Sequence, residues 1–221
     1  MLPIRENDLS VKYSDRFSFH CTGCGRCCQN VHEGIPVNSI DLFRLANHLK
    51  ELRPDIQSTG DIVTRYIDPL IIDNCGYFIL TLKTVGPDDT CIFLRKNRCS
   101  IHAAKPSPCR TYPLEVAPDV DGSFSIVLSK DYMHHFKGQT TKVRTWLNKY
   151  FSPEEREFIR YDFAHAKEIA SLLRQISTDK QFYASLQLMR YRYLEFDLEK
   201  PFMPQFKSNH EKLISELKSL F

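Results

Sequence analysis

Apolar residues recur along this chain at two different periods. Leu42, Leu45, Ala46 and Leu49 follow the i, i+3, i+4, i+7 spacing of one helical face, with Asn38 or Ser39 placed to cap it, so a helix is expected that ends before Pro54. A second short helix is expected from about Ser58. The run YFILTLK from Tyr77 is rich in β-formers and reads as a strand, and LEVAPDVDGSFSIVLS reads as a hairpin turning at Asp121-Gly122. The stretch between these strands places Cys91, Cys99 and Cys109 on connecting loops, where Pro106, Pro108 and Pro113 stiffen the backbone.

From about Lys137 the helical period dominates. Ser152-Pro153-Glu154-Glu155 is a capped helix start, and Ile169, Leu172, Leu173 and Ile176 form an apolar stripe behind it. A further helix is expected to carry Phe182, Leu186, Met189 and Tyr193 on one face. The last helix is expected to begin at Ser208, with Glu211 completing a capping box, and to bury Leu213, Leu217 and Leu220. The segment between them, with Tyr191, Tyr193, Phe196, Phe202 and Phe206, reads as extended chain whose rings dock on its own domain. The pattern as a whole predicts an α+β fold. Residues 1–136 form a small cysteine-rich metal-binding domain of short helices and a few antiparallel strands, and residues 137–221 a helical appendage packed on it. Such stripes either cover the metal domain or receive a protein partner.

The cysteines change the picture from fold to chemistry. Seven of the eight fall in two clusters, Cys21, Cys24, Cys27 and Cys28, then Cys91, Cys99 and Cys109. Thiolates three residues apart can curl around one centre when the backbone between them turns freely, and Gly23 and Gly25 supply that freedom. Three close cysteines completed by remote ones is the ligand pattern of an iron–sulfur cluster. Cys75, bordering an apolar run, reads instead as a core or strand-end thiol.

Seven thiols exceed the four ligands of one tetrahedral zinc, and the adjacent Cys27 and Cys28 are expected to diverge, toward two metal atoms or with one on a metal and the other in an outer position, which favours a polynuclear or paired site. All seven are therefore candidate metal ligands for an iron–sulfur cluster, foremost a 4Fe-4S cluster, with Zn2+ as the alternative. Arg26 and Arg110 are candidates to hydrogen-bond the sulfurs and tune such a centre, among interleaved cations that include Arg95, Lys96, Arg98 and Lys105. His20, His32 and His102 offer mixed ligation, His102 foremost. His134-His135 beside Asp131 reads as a surface loop, since adjacent histidines do not share a helical face.

The pattern CxxCxxCC, then Cys91, then Cys99-x-Ile101-His102 with Lys105-Pro106, then Cys109-Arg110-x-Tyr112-Pro113, resembles the CxxCxxCC cysteine-cluster family of zinc- or iron-chelating domains, the YkgJ-like proteins. The resemblance covers roughly the first half of the chain. His102 stands where an aromatic is often seen and Lys105 where Arg is usual, and no cysteine is lost. It implies metal chelation without an established general reaction.

Composition narrows the remaining classes. The 221 residues carry 42% hydrophobic residues and a net charge of +3, which gives no reason to expect nucleic acid. No apolar stretch approaches a membrane span, and the first residues lack an apolar signal core, so a cytoplasmic protein with free thiols is expected. Glycine-rich phosphate loops, GxSxG elbows and HExxH helices are absent, so no catalytic residue is assigned. A metal-binding module is the leading expectation. An iron–sulfur enzyme, acting in electron transfer or on a substrate held near the C-terminal helices, is the alternative.

Overall fold

The structure, a computed structural model, describes residues 8–31 and 34–221. Seven helices combine with short antiparallel strands in small sheets among these residues, an α+β fold. Helix α1 spans Ser39–Leu52, and the Asn38 side chain accepts from the Asp41 amide at 2.9 Å. Helix α2 spans Thr59–Tyr66 behind a Ser58–Asp61 capping box. A short helix α3 covers Ser107–Thr111. Helices α4 (Val143–Tyr150), α5 (Pro153–Gln175), α6 (Thr178–Met189) and α7 (Phe202–Lys218) complete the set.

Phe78–Leu82 is the central strand of one sheet, flanked by Pro36–Val37 and Ile67–Ile71. The expected hairpin pairs Leu114–Pro118 with Phe124–Leu128, with Gly122 at φ 79° in its turn. Arg16–Ser18 pairs with Thr140–Lys142 and draws the start of the chain against its middle. The largest apolar cluster joins Leu42, Leu45 and Leu49 of α1 to Leu80, Cys91, Phe93 and Ile101, and also to Leu173 of α5, Leu188 of α6 and Leu213 and Leu217 of α7. Truncating one such fully buried leucine to alanine typically costs about 2–5 kcal/mol.

Four expectations are corrected. Cys91 and Cys99 end short strands, and Cys109 lies in α3, rather than all three on loops. Helix α6 buries Ala184, Gln187 and Leu188 while Phe182 and Leu186 face solvent, because packing of the helix on the core, and not the apolar period alone, sets its inward face. The aromatic segment is not extended throughout, because Arg190–Leu194 forms a π-helical turn that shifts the helical phase and lets both Tyr191 and Tyr193 be buried. Helix α7 starts at Phe202 rather than Ser208. Burial of Phe202, Met203 and Phe206 beside Phe158 and Ile40 outweighs the polar cap, and Pro204 is tolerated in the first turn, where amides lack helical partners.

A buried ionic network ties α1, α3 and α5 together. The Ser107 amide and hydroxyl both donate to Asp41 Oδ1, at 2.9 and 2.6 Å, and Arg44 donates to the same oxygen at 3.0 Å. Glu155 receives Arg44 at 2.6 Å and Arg110 at 3.0 Å on Oε1, while its Oε2 accepts the Ser152 amide at 2.8 Å as part of the α5 cap. Both carboxylates are enclosed, Asp41 at 0% and Glu155 at 1% side-chain exposure. Removing one partner strands the others in a low-dielectric setting, so Glu155→Ala should cost about 3–5 kcal/mol by the denaturant midpoint. A loss below about 0.5 kcal/mol, the range of ordinary surface substitutions, would contradict this role.

Candidate metal centre

The first cysteine loop turns at Gly23 and Gly25, whose φ values of 67° and 74° lie in the left-handed region that favours glycine. A Cβ at Gly25 would meet the Asn97 carbonyl oxygen and Leu94 Cδ1, each at 3.0 Å, so glycine also lets the loop lie directly on the hairpin that carries Cys99. That hairpin pairs Leu94–Arg95 with Arg98–Cys99 through a two-residue turn, and positive φ at both Lys96 and Asn97 matches the type I′ geometry of tight hairpins. Cys91 faces Thr84 in a second short ladder. Cys109 sits in α3 between Ser107 and Arg110, the two residues of that helix held by the ionic network.

These elements bring five thiols into one electrostatically connected group, in which Cys27 acts on Cys28, Cys91, Cys99 and Cys109 alike. The sulfurs of Cys27 and Cys28 are 3.9 Å apart. Adjacent cysteines were expected to diverge, but the tight turn Arg26–Cys28 keeps this pair together, close to the separation of about 3.8 Å that two thiolates adopt on one tetrahedral zinc. A hydrogen bond from Cys28, and secondarily Lys105, lowers Cys27 to about 7, whereas Cys28 is pushed up by that shared hydrogen bond and by burial. Burial likewise pushes Cys91, Cys99 and Cys109 above the ordinary thiol value. Lys105 is the cation that favours ionisation of Cys27, Cys99 and Cys109. A cation placed among these sulfurs would reverse the cost of ionising them.

Cys24 points elsewhere. Its sulfur lies 3.5 Å from His134 Nε2 and 3.3 Å from His135 Nε2. The three donor atoms lie within 4.8 Å of one another. Reading His134-His135 as a surface loop missed this, because the helical-face rule does not govern a 3₁₀ turn such as Met133–His135.

The other sequence candidates have different surroundings. Cys21 is exposed, and His102 is exposed with its pKa lowered first by Lys105. Arg110 is engaged by Glu155, and the Arg26 carbonyl accepts the Tyr132 hydroxyl at 3.1 Å. His32 lies outside the described residues. Cys75 is buried, as expected, in the turn between Ile67–Ile71 and Phe78–Leu82, with its thiol on Asp73.

The family described as "CxxCxxCC: Putative zinc- or iron-chelating domain" matches residues 20–135, just over half of the chain. The chain belongs to the CxxCxxCC family. Both donor groups, the five thiols and Cys24 with its two histidines, lie within the matched CxxCxxCC segment. No curated protein and no solved structure matches the chain. No helix among the described residues is long and apolar enough to cross a membrane.

The raised thiols set a pH dependence for the metal-free chain. Unfolded cysteines ionise near about pH 8.5, whereas Cys91, Cys99 and Cys109 stay protonated to higher pH when folded. The folded state therefore holds more protons above that pH, so the stability these thiols provide is present below it and is lost as pH rises further. Urea midpoints of the reduced, metal-free protein should fall between about pH 8.5 and about pH 10, with a shallower fall for Cys109→Ala. Identical slopes for both proteins would contradict the assignment.

Proposed function

We propose that the protein holds iron as an iron–sulfur cluster, of the 4Fe-4S type, in the nest of Cys27, Cys28, Cys91, Cys99 and Cys109. The observation that carries this reading is that the five thiols arrive from four separate stretches of backbone. A four-iron cluster takes one thiolate at each of four corners. One sulfur of the Cys27–Cys28 pair then serves as ligand and the other as its hydrogen-bonding neighbour. Cys91 is buried in the apolar cluster that includes Phe93 and Ile101, surroundings of the kind that exclude water and tune a cluster's potential, and Lys105 offsets negative charge.

The 3.9 Å spacing of Cys27 and Cys28 supports a second reading, a single zinc held by four thiolates. Both readings make the protein a metal chelator, and they differ in sulfide. Iron, zinc and acid-labile sulfide are to be measured in anaerobically purified protein. Iron and sulfide in equal molar amounts are expected, and Cys109→Ser should lose both. Stoichiometric zinc without sulfide would overturn the iron–sulfur reading.

A further inference from the structure

The antiparallel pairing of Arg16–Ser18 with Thr140–Lys142 brings the approach to the first cysteine loop alongside the Met133–His135 turn. The contact is reciprocal. The His20 amide donates to the His135 carbonyl at 2.9 Å, and His135 Nδ1 lies 2.9 Å from the His20 carbonyl oxygen. A carbonyl can only accept, so Nδ1 carries the proton and Nε2 presents its lone pair toward Cys24. This is the outer hydrogen bond that metal-bound histidines make, in which a fixed acceptor on one nitrogen sets the tautomer and orientation of the other. His135 is 4% exposed and wedged against Phe19, so its ring direction is held by packing as well. His134 is exposed and its ring centroid lies 4.0 Å from that of His135, which brings both Nε2 atoms to one sulfur.

The distances fit an ion. Zinc–sulfur bonds of about 2.3 Å and zinc–nitrogen bonds of about 2.0–2.1 Å at tetrahedral angles separate sulfur from nitrogen by about 3.5 Å. The observed separations are 3.5 and 3.3 Å. The competing arrangement is purely hydrogen-bonded, with the single thiol proton shared toward His135 and His134 donating to the sulfur.

The geometry points to a second metal site, separate from the thiolate nest, in which Cys24 Sγ, His134 Nε2 and His135 Nε2 bind one zinc-class divalent ion and leave a fourth position open at the exposed His134 side. One thiolate with two imidazoles suits a borderline ion, and three protein ligands are the complement that leaves room for water or an exchangeable ligand. The site depends neither on iron nor on sulfide in the nest.

Cobalt(II) tests it, because it takes zinc's geometry and absorbs visibly when tetrahedral and thiolate-bound. The full chain, purified anaerobically and treated with a mild chelator, is titrated with cobalt(II) alongside Cys24→Ser and His134→Ala. His134 is exposed, so its replacement spares the fold, and circular dichroism checks this. The wild type should bind about one equivalent more than either variant, with a tetrahedral spectrum that shifts when imidazole is added, in keeping with a three-ligand open site. Iron and sulfide should be equal in all three proteins. Equal cobalt uptake and equal spectra in wild type and variants would overturn the site and leave the hydrogen-bonded trio. Loss of iron together with cobalt in the variants would also overturn it, by assigning Cys24 to the nest. Absence of iron from every protein would count against the cluster alone, and the cobalt difference would still decide this site.

Discussion

Two buried carboxylates hold the site in place. Asp41 and Glu155 lie out of water, and burial pushes Asp41 toward its neutral form while Arg44 and the Ser107 donors pull it back. Charge-assisted hydrogen bonds from Arg44, Arg110 and Ser107 offset the desolvation, and they do so at the two residues that flank Cys109. The turn presenting Cys109 is thereby fixed from α1 on one side and α5 on the other. Cys99 is fixed by a tight hairpin and Cys27 by a glycine-loosened loop lying on that hairpin. These restraints limit the backbone freedom around the sulfurs, and a site restrained in this way loses less entropy on binding.

The two donor groups have different chemical softness. The nest is all sulfur, whereas Cys24 with its histidines is mixed. Tyr132 links them, since its hydroxyl donates to the Arg26 carbonyl between Cys24 and Cys27, and both cysteines, after burial and Asp131, raise its pKa. Charge introduced at either position is felt at this tyrosine, which makes the two groups electrostatic neighbours rather than isolated features.

Much of this was legible in the residues themselves. The caps at Asn38, Ser58 and Ser152 each start a helix where they stand, because a local side-chain-to-amide bond decides the position. The Asp121-Gly122 turn was legible for the same reason. What escaped was decided by distant parts of the chain. The start of α7 follows from burial of Phe202 and Phe206, and the inward face of α6 from the shape of the core. The convergence of Cys24 with His134 and His135 spans 110 and 111 residues and depends on a strand pairing that no local period encodes. The adjacent His134-His135 pair was the signal that could have found it. Similarly, the spacing of Cys27 and Cys28 is set by the turn that carries them and not by their adjacency alone.

The central claim is that a metal is held by the sulfurs of the nest. X-ray absorption at the edge of the native metal tests it most directly, because the first coordination shell distinguishes sulfur from nitrogen and oxygen. The account predicts a sulfur-dominated shell at the iron edge, with an iron–iron distance behind it, both lost in Cys109→Ser. A first shell dominated by nitrogen or oxygen, or one unchanged by that substitution, would contradict it.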